Sequence, residues 1–150
     1  MYDQGGLIIK IPNANTTTWL KTGIELLRGK LSVMSVAASH WSDAAMMSLE
    51  KEKEGKVTIQ LERQVKEGNK QDGLRVYVVD EETGGKEGIR LITSWFTHFP
   101  DQKISKERLD NRHLLIGVYA ARPTVPVGEG REHEELVVTF EGFEVKLFDD

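Results

Sequence analysis

Trp19-Leu20-Lys21-Thr22-Gly23-Ile24-Glu25-Leu26-Leu27 is the stretch whose reading decides the fold. Side chains of a strand alternate between the two faces of a sheet. Leu20, Thr22, Ile24 and Leu26 therefore fall on one side, and Trp19, Lys21, Gly23 and Glu25 on the other. The first set suits a buried face. The second is unusual for a plain solvated face, because one row holds an aromatic plate, a cation, a gap and a carboxylate.

The same period continues outward. Gly5 to Ile11 reads as a strand that Pro12-Asn13-Ala14-Asn15 breaks in a turn. Arg28-Gly29-Lys30 is a short hairpin loop into a third strand, Leu31 to Ala37. Ala38 to Glu54 reads as irregular, closing with the charge run Glu50-Lys51-Glu52-Lys53-Glu54, the composition of a solvated loop. Val57, Ile59 and Leu61 alternate with polar residues as in a half-buried strand. Asn69 to Gly73 turns into the strand Leu74 to Val79, and Asp80 to Gly88 is an exposed hairpin loop before Ile89 to Phe96. Between Pro100 and Arg112, Ile104 and Leu109 support one helical turn at most. Leu114 to Ala120 is an apolar strand stopped by Pro123, and after a loop to Glu135 the final strands are Leu136 to Phe140 and Phe143 to Phe148. Short strands separated by regular turn signals, with no convincing amphipathic helix, predict an all-β sandwich of two antiparallel sheets.

The chain has 150 residues, enough for one domain with a full core, and 39% apolar with 29% charged residues is the balance of a soluble globular protein. There is no cysteine, which removes disulfide and thiolate chemistry and favours a reducing compartment. The N-terminus lacks the basic start and apolar core of a signal peptide, so the expected location is cytoplasmic. No apolar run approaches the roughly 20 residues of a membrane helix. A net charge of −4 and a pI near 5.6, with no basic stripe, argue against nucleic acid as a partner.

The four histidines, His40, His98, His113 and His133, show no paired zinc spacing, so no metal is expected. Gly84-Gly85 and Gly128-x-Gly130 lack the following Lys-Ser/Thr of a phosphate-cradling loop, and no cofactor is expected. Glycoside hydrolysis needs two carboxyls across one bond, and no strand carries a suitable acidic pattern. No catalytic residue is assigned, and glycoside hydrolase is the weakest of the functional readings.

Three motifs, Tyr2-Asp3-Gln4-x-Gly6-Leu7, Trp19-x-Lys21-x-Gly23-Ile24-Glu25 and Ser39-x-Trp41-Ser42, resemble the family that includes the fungal regulation-of-enolase protein. Leu61-x-Arg63, Arg90, Ile116-Gly117-Val118-Tyr119-Ala120-Ala121-x-Pro123 and Phe140-x-x-Phe143 extend the resemblance over the whole chain. It implies a concanavalin A-like, lectin/glucanase jelly-roll sandwich. It also implies a domain short of the family's N-terminal strands, in which an unguarded Leu114 to Ala120 would promote association. The family usually has Asp where this chain has His40.

Candidate ligand-binding residues are Asp3, Gln4, Trp19, Lys21, Glu25, Trp41, Ser42, Arg63 and Arg90. An aromatic plane suits the C–H face of a sugar, charged and amide groups suit its hydroxyls, and Gly23 would leave room for a ring. Each has an ordinary reading beside the functional one. Lys21 and Glu25 suit surface ion pairs, and Asp3 suits a strand-end hydrogen bond unless Gly5-Gly6 forms a bulge that re-aims it. Trp41 and Ser42, expected in a loop, suit either a lid or a plug for the sandwich end. Arg63 and Arg90 suit structural salt bridges as well as anion contacts. The leading expectation is a module for a carbohydrate or other small-molecule ligand such as a polyol. The competing one is an intracellular interaction module whose partner is a metabolic enzyme.

Overall fold

The computed structural model describes residues 3–11, 18–27, 29–38, 42–49, 56–64, 73–92, 115–123 and 135–146. Among them are eight strands: β1 (Gln4–Ile11), β2 (Thr18–Leu27), β3 (Lys30–Ala38), β4 (Ser42–Ser48), β5 (Thr58–Gln64), β6 (Gly73–Val79), β7 (Lys86–Ile92) and β8 (Leu115–Ala121). They form a five-stranded sheet in the order β4-β3-β2-β1-β8 and a three-stranded sheet in the order β5-β6-β7. Every pairing is antiparallel. The all-β sandwich expected from the alternation is what the chain forms.

The period-two pattern of β2 does what its sequence dictates. Leu20 and Thr22 are fully buried between the sheets. Ile9, Leu20 and Ala37 are direct cross-strand neighbours on β1, β2 and β3, and they meet Leu74 and Val76 of β6 in one cluster. Ile59, Leu61 and Ile89 pack around it. Gly29, at φ 77°, supplies the left-handed residue that turns β2 into β3.

The pairing of β6 with β7 is interrupted: Val76 faces Arg90, but Tyr77 faces Gly88. Ile89 is the extra residue of this β-bulge. In an unbroken strand Ile89 and Arg90 would point to opposite faces. The bulge lets Ile89 pack on the core while Arg90 reaches the other sheet. There Arg90 Nη1 donates to the backbone oxygens of Ser35 (3.1 Å) and Asp43 (2.9 Å), and Nη2 pairs with Asp43 Oδ2 at 2.5 Å. Arg90 is thus a tie between β7 and the β3–β4 edge.

Three expectations need correction. The stretch from Ala38 to Glu54 is not irregular throughout, because Ser42–Ser48 is strand β4, in register with β3 from Ser32↔Ser48 to Ala38↔Ser42. Its Asp-Ala-Ala-Met-Met composition hides a strand whose alternation is too weak to announce itself. Ser42 accordingly begins a strand instead of sitting in a loop, while Trp41 lies outside the described residues. The Asp80 to Gly88 loop is shorter than expected, since β7 already starts at Lys86. Residues 135–146 form no strand among the described residues, although Val138 packs against Gly5 and Gly142 turns at φ 63°. The helical turn around Ile104 and Leu109 and the charge run Glu50–Glu54 lie outside the described residues.

Candidate functional site

The unbroken registers of β1, β2, β3, β4 and β8 place the outward side chains of the larger sheet in rows. Gln4, Glu25, Ser32 and Ser48 share one row. Tyr119, Gly6, Gly23 and Met34 share the next, then Gly117, Ile8, Lys21 and Val36, then Leu115, Lys10, Trp19, Ala38 and Ser42. Successive rows are about 6.6 Å apart, two residues of rise.

The first row is polar, and three of its side chains are nevertheless buried while Ser48 at its edge is exposed: Gln4 is 7% exposed, Glu25 7% and Ser32 5%. Charged and amide groups hidden this well require partners. Gln4 Nε2 donates to Glu25 Oε1 at 3.1 Å, and Lys21 Nζ donates to Gln4 Oε1 at 2.7 Å. The amide of Gln4 therefore relays between a cation and a carboxylate that do not touch. Lys21 starts two rows from Gln4, and the row it crosses is Gly6 and Gly23. Two absent side chains give its arm a lane. Lys21 Nζ also stands 5.7 Å from the centroid of the Tyr119 ring, a cation–π distance.

Glu25 Oε2 is buried and has no hydrogen-bond partner among the described residues. An unsatisfied buried acceptor of this kind costs about 1–3 kcal/mol, more when charged. Its charge is felt at Tyr119, whose phenol is pushed up to about 12, first by burial and then by Glu25.

The sequence candidates sort by position. Gln4, Trp19, Lys21, Glu25 and Ser42 share the outer face of the five-stranded sheet. Trp19 is half-buried, but it stands three rows, about 20 Å along the strand, from Glu25. Asp3 lies just before β1, which has no bulge. Its carboxylate accepts from Arg122 Nε at 2.7 Å and Nη2 at 3.0 Å, and its backbone oxygen accepts from Leu26 N at 2.9 Å. Arg122 holds the Asp3 carboxyl below its ordinary value, against a smaller opposing effect of burial. Arg63 is exposed on β5, and Arg90 is the inter-sheet tie, so both belong to the other sheet. Trp41 is outside the described residues.

Gly23 does not leave an open space for a ring. A Cβ there would stand 2.1 Å from Gly5 O, and one at Gly6 would stand 2.1 Å from Thr22 O. The two strands approach too closely for any side chain. Tyr119 and Ser32 were missed as site residues. The signal for Tyr119 is its parity in β8, opposite to Ile116 and Val118; Ser32 has no signal short of the β2–β3 register that sets it beside Glu25.

Among the described residues no group of three His, Cys, Asp or Glu could hold a metal ion, and no helix is long and apolar enough to cross a membrane. Residues 1–147 match the family described as "Protein of unknown function (DUF1349)". An uncharacterised protein of Emericella nidulans is 32% identical over 149 residues, covering 99% of this chain and 62% of that relative. The chain thus spans less than two thirds of the length of the relative it matches. No solved structure matches the chain.

Proposed function

The chain belongs to the DUF1349 family, and from the arrangement of Gln4, Lys21 and Glu25 we propose that it is a lectin-like module binding a carbohydrate or small polyol on the outer face of its five-stranded sheet. The observation that carries this reading is the Gln4–Glu25–Lys21 relay beside the Tyr119 ring, with one carboxylate oxygen that has no partner among the described residues. It combines oriented donors and acceptors with an aromatic plane, the chemistry a polyhydroxylated ring requires. Trp19 and Ser42 on the far row would contact a ligand only if it extended along the face.

The resemblance to concanavalin A-like jelly rolls supports this reading. Glycoside hydrolysis gains no support, because Glu25 is the one acidic side chain among the described strand positions of that outer face. A glycan array followed by titration calorimetry tests the proposal. Silence in both, with the folded full chain, would remove it.

A second reading, a cytoplasmic interaction module for a metabolic enzyme, draws on a different observation. Ile116 and Val118 of β8, at 38% and 43% exposure, and Phe140 and Phe143, at 39% and 51%, are large apolar groups left open. Open apolar groups of this size mark interaction surfaces when they are contiguous. A stoichiometric protein partner from extract, retained by Lys21→Ala and Glu25→Ala variants, favours this reading over sugar binding.

A further inference from the structure

The outer face of the three-stranded sheet carries a surplus of cations and donors. Leu61, Leu74 and Val76 point into the core, so Gln60, Glu62, Arg75 and Tyr77, of opposite parity, point away from it. Gln60, Tyr77 and Gly88 are cross-strand neighbours in one row, with Glu62 and Arg75 in the row on one side and Lys86 in the row on the other. Both cations stand over the Tyr77 ring, Arg75 Cζ at 6.0 Å from its centroid and Lys86 Nζ at 5.7 Å. On the Gly88 side the ring is uncrowded: a Cβ there would meet only Tyr77 among the described residues, at 3.9 Å. The Lys86 and Glu62 side chains are 38% and 33% exposed and Arg75 is half-buried, so solutes reach this face.

The hydrogen-bonding inventory here is one-sided. Glu62 is the direct cross-strand neighbour of Arg75, yet its Oε1 accepts from Gln60 Nε2 at 2.8 Å and from Lys86 Nζ. Glu62 Oε2 and Gln60 Oε1 remain as acceptors. Against them stand the second N–H of Gln60 Nε2, the further N–H groups of Lys86 Nζ and the whole guanidinium fork of Arg75, which has no hydrogen-bond or ion-pair acceptor among the described residues. The cations outnumber the carboxylate. A guanidinium held on an aromatic ring without an acid of its own presents paired donors that fit two oxygens of a carboxylate or phosphate.

We propose that Arg75, Lys86 and Tyr77 form a second binding site, on the outer face of the three-stranded sheet, for the carboxylate or phosphate group of a small anionic ligand. Arg75 makes the bidentate contact, Lys86 adds a second cation, and Tyr77 positions both. Glu62 restrains the affinity, because its charge opposes that of the ligand. The site is independent of the sugar-binding reading, and either stands if the other falls.

The test is titration calorimetry of the full chain at constant ionic strength, with succinate as the carboxylate probe and inorganic phosphate as the phosphate probe. Circular dichroism establishes that each variant is folded. Saturable binding of at least one anion is expected, and the tighter of the two identifies the group the site takes. Arg75→Gln removes hydrogen bonds to a charged group and should weaken that binding about tenfold or more. Glu62→Gln should tighten it, by about fivefold, through loss of the opposing charge; a gain of this kind cannot come from a damaged fold, and it keeps the proposal testable if Arg75→Gln fails to fold. Lys21→Ala, on the other sheet, should leave it unchanged. No saturable binding of either anion, Arg75→Gln binding as tightly as the wild type, Glu62→Gln binding no tighter, or loss of binding in Lys21→Ala would each overturn the proposal.

Discussion

Gly6 and Gly23 face each other across β1 and β2, and a Cβ on either would stand 2.1 Å from a carbonyl oxygen of the opposite strand. The pair does two things at once. It lets the two strands approach closely, and it clears the row over which Lys21 reaches Gln4. Gly23→Ala should therefore cost about 3 kcal/mol or more, since the atoms it meets are backbone and cannot rotate away. Urea denaturation of the variant beside the wild type measures this. A loss below about 1 kcal/mol would mean that the strands can separate without penalty.

Tyr119 reports on the site without any ligand. Its phenol is pushed up to about 12, chiefly by burial and secondarily by the Glu25 charge. Ultraviolet titration should show one tyrosine resisting ionisation above the ordinary value of 10.0, and Glu25→Gln should lower that pKa without returning it to 10.0. The unfolded chain ionises first, so the stability this group contributes is complete below pH 10.0 and is lost as pH rises towards about 12.

The Asp3–Arg122 pair closes the end of the sheet where β1 begins and β8 finishes. Asp3 has a folded-state pKa below its ordinary value of 3.8, through its hydrogen bonds to Arg122. Its contribution is present above that value and is lost as pH falls through the lowered folded pKa. Asp3→Asn should destabilise the protein at neutral pH by about 1 kcal/mol, and the difference should shrink on acidification below pH 3.8. Denaturation midpoints at neutral and acid pH compare the two proteins. A gap that persists unchanged at low pH would exclude the ion pair as its cause.

Arg90 and Asp43 are unequal partners: the arginine side chain is 11% exposed and the aspartate side chain 79%. Arg90→Ala leaves the Ser35 and Asp43 carbonyls without this donor and should cost about 3 kcal/mol. Asp43→Asn removes only a screened charge and should cost under about 1 kcal/mol. Equal losses in thermal melts of the two variants would contradict the tie.

The fold is legible in the sequence wherever the two faces of a strand differ sharply. β2 is legible because Leu20 and Thr22 alternate with Trp19, Lys21 and Glu25, and the structure buries the first set between the sheets. β4 was not legible, since Ala44, Ala45, Met46 and Met47 give both faces the same character and only pairing with β3 reveals the strand. The position of Arg90 was also hidden. A period of two cannot announce a bulge, and only the register shift at Val76/Tyr77 shows why Ile89 and Arg90 both turn inward. On the site, parity alone put Gln4, Lys21 and Glu25 on one face, but neither the relay through the Gln4 amide nor the Tyr119 ring can be read before the β1–β2 and β1–β8 registers are known. Gly23 looked like room for a ligand because a missing side chain reads the same whether the space is empty or filled by a neighbouring backbone.

The most direct measurement is the side-chain amide resonance of Gln4, followed by nuclear magnetic resonance during titration with the sugar or polyol that binds best. Gln4 touches both Lys21 and Glu25, so any ligand in the relay must perturb it. A saturable shift of that signal is expected in the wild type, absent in Lys21→Ala and Glu25→Ala proteins that remain folded. Sugar binding that leaves the Gln4 amide unmoved, or that persists undiminished in both variants, would contradict a site on the outer face of the five-stranded sheet.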